Sequence, residues 1–328
     1  MPRPAHRRAR PRLDAERRNQ LLVVVLAVGV VALALGIALF GYYQTKIAPK
    51  GEAVLRVEDR SFSLGYFERR ARYEIRNGNS TLLRDATQAA DALVSMVQRQ
   101  ELVRLGAPEQ GIALTEKDID DEIRKRLNVA SDADQSTFAV TYREAVRASG
   151  LSTRDYRDII AFSLLENRLR EKFQAEVPAK VEQARYRAIQ VATAEEGQSV
   201  LDRLDAGEDF AALAKELSVD TSSKEAGGEK PWAARGTLVE PLEQALFSLE
   251  PGQRSGLIET QASFVIVEVL ERQADRETTA EQRDGLAILA LEDWLEARKE
   301  SAEIVIFLDQ DQIAAILEVM VDEVGRGA

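Results

Sequence analysis

Residues 21–43 form an unbroken run of uncharged, mostly apolar side chains, and this run limits the fold more than any other feature of the sequence. A helix of that length crosses the ~30 Å hydrocarbon core of a membrane. Seven arginines precede the run, whereas only Lys46 and Lys50 follow it closely. The positive-inside rule therefore predicts a basic cytoplasmic tail over 1–20, a transmembrane helix from Leu21 to Tyr43, and a bulk outside the cytoplasm at the cell (inner) membrane.

A cleaved signal peptide is the alternative for the same run, because Ala32 and Ala34 form an A-x-A pattern. The apolar core of a signal peptide covers only ~7–15 residues, however. Here the apolar run continues past Ala34. The membrane anchor is therefore the preferred interpretation.

Composition excludes several classes of chemistry. The chain has no cysteine and its one histidine is His6, so thiol nucleophiles, disulfides, Ser-His-Asp triads and multi-histidine metal sites are ruled out for the globular part. Phosphate-binding and calcium-binding loop motifs are also missing. The net charge is −11, and without the basic tail at 1–20 it is −16 (37 Lys and Arg against 53 Asp and Glu), which argues against nucleic-acid binding. We expect no metal and no cofactor.

Residues 51–177 have the pattern of a short strand followed by amphipathic helices. The strand signal is AVLRV at Ala53–Val57, and Thr115 with Asp118 forms a capping pair. Apolar stripes at helical spacing predict packed helices, and apolar grooves between such helices can bind unfolded segments. The stripe residues include Leu93, Val94, Val97, Leu102, Leu105, Ile119, Ile123, Leu127, Ile159, Ile160, Leu164 and Leu169.

Residues 178–273 predict a compact α+β unit with the order β-α-α-loop-α-β-β. Thr193 and Glu196 form a capping pair at the start of its first helix. The stretch SVDTSSKEAGGEKPW, from Ser218 to Trp232, is expected to be a loop between two helices, since Gly and Pro interrupt the helical pattern. Such a loop is either a solvated connection or the edge of a binding site.

Three blocks of this unit resemble the parvulin (rotamase) family of peptidyl-prolyl isomerases. They are AGEDFAALAKELSVDTSSKEAGGEKPW, PLEQALFSLEPGQRSGLIET and SFVIVEVLE. The helical region resembles SurA/PrsA-type chaperone domains in AVLRVEDRSFSLGYF, GIALTEKDIDDEI and GLSTRDYRDIIAFSLLENRL. The order of tail, single span and outward foldase is similar to PpiD-type proteins. The resemblance implies a proline-binding face beside Ser218–Trp232, where Gly227 and Gly228 let the chain turn next to the sheet.

The same resemblance implies which residues contact the substrate, and it also shows departures from the family. Two histidines of the family fall at Ala188 and Val265, Lys230 and Pro231 replace the usual Leu-Gly, and Leu242 stands where a pocket Phe is expected. No catalytic residue can therefore be assigned. The expected substrate-binding set is Asp220, Thr221, Leu238, Leu242, Phe247, Thr260, Val265 and Ala188.

Ordinary structural roles remain open for these residues. Leu238, Leu242 and Phe247 have helical spacing and would look the same as core residues. Asp220 and Thr221 could instead tighten a turn. Trp232 is expected to pack rather than to recognise a ligand.

Residues 274–328 predict a helix, a strand and a second helix. Thr279 and Gln282 form a capping pair, and Ile304–Leu308 is expected to pair with the strand at Ala53–Val57, as in SurA-like proteins whose C-terminal segment returns to the chaperone domain. The last helix then docks within the chain. A seam of a homodimer or a partner helix is the alternative role for its apolar residues, which are Ile313, Ile316, Leu317 and Met320.

Taken together, these features predict an α+β protein. A transmembrane helix is followed by a mostly helical SurA-type domain over 51–177, an inserted parvulin-like domain over 178–273, and a returning C-terminal segment over 274–328. We expect a membrane-anchored extracytoplasmic chaperone that binds unfolded or newly exported polypeptides and Xaa-Pro segments. An active isomerase that lacks the usual histidines, and a non-catalytic membrane scaffold, are the alternatives.

Overall fold

The structure is a computed structural model that describes residues 33, 35–38, 48–79, 82, 88–131 and 133–327. The predicted basic tail at 1–20 and most of the predicted membrane helix, Leu21 to Tyr43, lie outside the described residues. Within the described ranges, no helix is both long enough and apolar enough to cross a membrane.

The chain divides into two compact units. The first unit holds Met1–Gln98, Arg143–Thr153 and Glu303–Ala328, and the second holds Arg99–Tyr142 and Arg154–Ala302. The C-terminal segment after Glu303 therefore belongs to the same unit as the N-terminal part of the chain.

Helices dominate the described part of the chain. In chain order the α-helices are α1 (Leu64–Arg76), α2 (Ala89–Gly106), α3 (Glu116–Arg126), α4 (Gln135–Ser149), α5 (Thr153–Glu176), α6 (Ala194–Asp205), α7 (Phe210–Leu217), α8 (Glu240–Ser248), α9 (Ala280–Ser301) and α10 (Gln310–Gly327). The strands are β1 (Ala53–Val57), β2 (Arg60–Ser63), β3 (Lys180–Val191), β4 (Glu229–Ala234), β5 (Ile258–Glu259), β6 (Phe264–Glu277) and β7 (Ile304–Ile306).

Three of the helices begin with the capping pairs that the sequence predicts. In each pair a threonine side chain accepts the backbone N–H three residues on, and the acidic or amide side chain at that position accepts the backbone N–H of the threonine. Such caps satisfy free N–H groups at the start of a helix and contribute about 1 kcal/mol each. The pairs are Thr115 with Asp118, Thr193 with Glu196, and Thr279 with Gln282.

The first unit is organised by a three-stranded sheet in the order β2-β1-β7. Strand β7 pairs antiparallel with β1, with Leu55 opposite Ile306 and Val57 opposite Ile304. The predicted return of the C-terminal segment to the strand at Ala53–Val57 is therefore confirmed. Helices α1 and α10 pack together, and the Arg76 guanidinium donates two hydrogen bonds to the Glu323 carboxylate, at 2.5 and 3.1 Å.

The second unit contains a four-stranded antiparallel sheet in the order β4-β3-β6-β5. Strands β3 and β6 pair along nearly their whole length, from Lys180 opposite Glu277 to Val191 opposite Phe264. Because side chains alternate along a strand, this pairing creates two separate faces. Each face carries its own cluster of buried apolar residues.

The prediction of a loop from Ser218 to Trp232 is wrong for the last four residues, 229–232. Glu229–Ala234 forms strand β4, which pairs antiparallel with β3, so the order of the unit is β-α-α-β-α-β-β. Pro231 hid this strand because proline cannot donate a backbone hydrogen bond to a sheet. Strand β4 lies at the edge of the sheet, where such a residue is tolerated.

Candidate functional site

One side of the second unit's sheet carries the two positions where the parvulin family has histidines. We call this side the pocket face. On it, Ala188 of β3 lies opposite Val267 of β6, and Val265 lies two residues along the same strand. Ala188 and Val265 are both buried and belong to one apolar cluster. The polar centre expected from the family is therefore replaced by aliphatic side chains.

Helix α8 and the segment before it cover the pocket face. Phe247 is buried in the same cluster as Ala188 and Val265, and Leu238 and Leu242 pack against it while only partly buried. The Arg235 guanidinium lies 4.3 Å from the centre of the Phe247 ring. The structure thus brings together the predicted residues Leu238, Leu242, Phe247, Ala188 and Val265, and it leaves two leucines accessible to a ligand.

A small cavity continues this surface beyond Leu238. Its volume is about 230 Å³. Besides Leu238, it is lined by Arg235, Gly236, Glu240, Glu243 and Gln244. An apolar wall and a polar rim therefore meet at the edge of the pocket face.

Asp220 lies in the segment between α7 and β4 and holds that segment together. Its carboxylate accepts hydrogen bonds from the backbone N–H and the hydroxyl of Ser222, at 3.1 and 2.6 Å, and from the hydroxyl of Ser223. The Lys230 ammonium lies 2.5 Å from Asp220 Oδ2. Partial burial opposes ionisation of Asp220, but the hydrogen bonds from Lys230, Ser222 and Ser223 outweigh it and hold the pKa of this carboxyl well below its usual range.

Tyr186 is a residue of the pocket face that the sequence did not indicate. It belongs to the same cluster as Ala188 and Val265 and is only 6% exposed. Burial, together with the negative charge of Asp220, raises the pKa of Tyr186 to about 12. Its phenol therefore stays protonated, and able to donate a hydrogen bond, throughout the physiological pH range.

The two predicted threonines do not join the cluster. Thr221 is exposed on the segment after Asp220. The Thr260 hydroxyl donates a hydrogen bond to the backbone carbonyl of Ser263 at 2.8 Å, while the Gln190 amide donates to the Ser263 hydroxyl at 2.7 Å. Thr260 thus stabilises the turn before β6.

The backbone geometry at position 228 requires glycine, as the sequence suggested for Gly227 and Gly228. Its φ is +83°, and a Cβ atom there would lie 2.4 Å from the carbonyl oxygen of Ala188. The backbone N–H of Ala188 donates to the Gly228 carbonyl at 2.9 Å. Only glycine lets the segment after Asp220 lie this close to the sheet.

This fold and this face define a class of protein. A four-stranded antiparallel sheet with helices on both faces and an acidic residue beside an apolar pocket is the arrangement of a parvulin-type domain. Rotation about an Xaa-Pro bond makes and breaks no covalent bond, so such a pocket can act without nucleophile or metal. Among the described residues, no group of three or more His, Asp or Glu side chains is arranged to hold a metal ion.

Comparison with known families identifies the two parts of the chain. Residues 178–271 match the rotamase family, described as the PPIC-type PPIASE domain, and residues 13–170 match the SurA-like N-terminal domain. The chain therefore combines a PPIC-type parvulin domain with a SurA-like N-terminal domain.

Curated relatives carry foldase and chaperone names. The chain is 31% identical over 177 residues to the foldase protein PrsA of Caldanaerobacter subterraneus subsp. tengcongensis, covering 54% of this chain and 55% of the relative. It is 41% identical over 100 residues to the periplasmic chaperone PpiD of Escherichia coli, covering 30% of this chain and 16% of PpiD. The match to this chain thus covers about half of the length of PrsA and less than a fifth of the length of PpiD.

A solved structure is similar over a longer stretch at lower identity. The crystal structure of the peptidylprolyl isomerase PrsA from Bacillus anthracis aligns with 71% of this chain and 97% of its own chain, at 19% identity and a TM-score of 0.42.

Proposed function

We propose that this chain is a membrane-anchored extracytoplasmic chaperone and foldase that binds unfolded exported polypeptides. Its parvulin domain binds Xaa-Pro segments on the pocket face. The observation that carries the proposal is the joint position of Leu238, Leu242 and Phe247 against Ala188 and Val265. This arrangement keeps an apolar surface for proline and removes the two histidines. Binding is therefore the main task of the domain.

The names of the relatives support the chaperone role. One relative is named a foldase and another a periplasmic chaperone, and both align with this chain at 31% identity or more. Unfolded segments expose apolar side chains, which suit apolar grooves between helices and a half-open pocket.

The membrane anchor is part of this proposal and rests on the sequence. The run from Leu21 to Tyr43 has the length and composition of a spanning helix, and the arginines before it favour a cytoplasmic tail. The proposed organisation is a tail at 1–20, a span at 21–43, a chaperone domain at 51–177, a parvulin domain at 178–273 and a C-terminal segment at 274–328.

Extraction of membranes tests the anchor. We expect the full-length chain to remain in the membrane fraction after an alkaline carbonate wash, and its bulk to be digested by a protease added on the outer side. Release by the wash, or a mature N-terminus at residue 35, would contradict the anchor.

Client binding is tested with the full-length chain in mild detergent. We expect it to suppress aggregation of an unfolded client, followed by light scattering, and to bind an Xaa-Pro peptide more tightly than the matching Xaa-Ala peptide. Changing Leu238 and Leu242 together to alanine removes half-buried apolar surface, which lowers peptide affinity by about tenfold. Leu201→Ala is the matched control, since Leu201 is also partly buried but packs against the other face. Equal aggregation with and without the chain would contradict the proposal.

An active isomerase is the second candidate, and the polar group formed by Asp220, Lys230 and Tyr186 favours it. Protonated phenol and ammonium groups beside the pocket can donate hydrogen bonds to the rotating amide. Exchange NMR on the same Xaa-Pro peptide measures this activity. Acceleration by the full-length chain that is lost in the Leu238 and Leu242 double variant would establish it.

A further inference from the structure

Lys230 stands at a position where the parvulin pattern has leucine, and the structure gives this lysine a specific place. It lies on β4 directly opposite Tyr186 of β3. Directly paired residues on antiparallel strands project from the same side of the sheet. Because Tyr186 belongs to the cluster of the pocket face, Lys230 borders that face as well.

The Lys230 ammonium joins the strand to the segment that contains Asp220. It lies 2.5 Å from Asp220 Oδ2 and donates to the Ser222 hydroxyl at 3.1 Å. Both charged side chains are largely covered, with 25% of the lysine and 15% of the aspartate exposed. An ion pair with this degree of cover keeps a fixed geometry better than an exposed pair does.

The same ammonium retains capacity for a ligand. A lysine has three N–H donors, and the bonds to Asp220 and Ser222 use two of them. The third donor is available to a backbone carbonyl of a polypeptide that lies on the pocket face. Leucine at this position would supply neither the ion pair nor the donor.

We propose that Lys230 is the residue that organises the polar part of the pocket face: it fixes Asp220 beside Tyr186 and donates its remaining N–H to the carbonyl oxygen of the residue before a bound proline. This set takes the place of the two histidines that are absent at Ala188 and Val265. The proposal rests on the proposed function, because it assigns a role within the same peptide-binding face.

The test compares four forms of the full-length chain in detergent: the wild type, Lys230→Ala, Lys230→Arg and Lys224→Ala. Lys224 is the matched control because it is a second lysine close to Asp220 in the chain, in the segment between α7 and β4, but it donates to the backbone carbonyl of Glu216 rather than to Asp220. The measurement is affinity for an Xaa-Pro peptide, with the Xaa-Ala peptide as a reference, between pH 3 and pH 8, scanned in steps of about one unit.

The expected result has three parts. At neutral pH, Lys230→Ala binds the Xaa-Pro peptide about tenfold more weakly than the wild type, because a charge-assisted hydrogen bond is lost. Its affinity also begins to fall at a higher pH on the acid side, since Asp220 without its lysine takes up a proton more readily. Lys230→Arg restores most of both properties, and Lys224→Ala matches the wild type.

Two outcomes would overturn the proposal, and they can be told apart. Suppose that the wild type prefers the Xaa-Pro peptide and that Lys230→Ala binds this peptide with the wild-type affinity, which also begins to fall at the same acidic pH. The role assigned to Lys230 is then wrong, and the proposed function stands. If the wild type does not distinguish Xaa-Pro from Xaa-Ala, the proposed function of the pocket face fails and this role fails with it.

Discussion

The two faces of the second unit's sheet are formed by the same strands but are covered to different degrees. The face opposite the pocket face, which we call the sealed face, is covered by α6 and α7, and its residues Ile189, Val200, Leu213 and Ile266 are at most 1% exposed. On the pocket face, the covering residues Leu238 and Leu242 remain only partly buried. Full burial gives stability, and incomplete burial leaves surface for a ligand.

The largest difference between the faces should come from truncating one residue on each. We expect Ile266→Ala to lower the free energy of unfolding by about 2–5 kcal/mol, because Ile266 is fully buried and a cavity remains. Leu242→Ala should cost about 1 kcal/mol, since Leu242 is partly exposed. Chemical denaturation of the full-length chain measures both, and equal losses would remove the distinction between the two faces.

A pH titration on the alkaline side tests the environment of Tyr186. Its folded pKa is raised to about 12, whereas an unfolded tyrosine ionises near 10. The stability contribution is therefore complete below pH 10 and is lost as the pH rises towards 12, by about 2–3 kcal/mol.

Unfolding curves at several pH values, with absorbance of tyrosinate as a second readout, check this expectation. Tyr186→Phe should lack this part of the alkaline loss of stability and should also lack the tyrosinate absorbance that appears near pH 12 in the wild type. Equal alkaline losses of stability in the wild type and in Tyr186→Phe would contradict the buried position of Tyr186.

Alanine substitutions at Gly228 and Gly252 can separate the cost of backbone strain from the cost of a steric clash with the sheet. Both have a positive φ, at +83° and +84°, but a Cβ atom collides with the Ala188 carbonyl only at Gly228. We expect Gly252→Ala to cost about 1 kcal/mol through strain. Gly228→Ala should cost about 2 kcal/mol more, because the segment must move from the sheet. Similar losses in thermal unfolding of the two variants would argue against the close approach.

The smallest effect concerns Asp220 on the acid side. Because the folded pKa of Asp220 is depressed, its contribution to stability is present above the unfolded pKa near 4 and is lost as the pH falls further. In Asp220→Asn, the free energy of unfolding should decrease slightly less steeply than in the wild type as the pH falls below 4. Parallel unfolding curves for the two forms below pH 4 would contradict the role of the carboxylate.

How much of this molecule the sequence predicts depends on how local each signal is. The threonine caps at Thr115, Thr193 and Thr279 depend on residues three positions apart, and all three were predicted correctly. Helix α4 was not predicted, because Phe138 is its one buried residue and the helix lacks a wide apolar stripe. Strand β4 was missed because glycines and Pro231 resemble a loop.

The candidate site shows the same limit. Leu238, Leu242 and Phe247 follow a motif, so the sequence could place them together, although their role stays a prediction. In the sequence, Tyr186 is simply one residue of an alternating strand. Its position beside Lys230 becomes visible only when β4 pairs with β3. The partner of Asp220 was hidden for the same reason, since Lys230 reaches it only when that strand forms.

The pairing of β7 with β1 also has a consequence for how the chain acquires its structure. Arg56 and Glu303 meet across this pairing although they are 247 positions apart in sequence. Contacts between such distant segments form slowly, because a long loop must close before they bring any stabilisation. A chain that is synthesised from its N-terminus can therefore complete the sheet of the first unit only after β7, at Ile304–Ile306, has been made. Until then the edge of β1 that pairs with β7 stays open, so during synthesis the first unit is itself an incompletely folded chain with unpaired backbone groups.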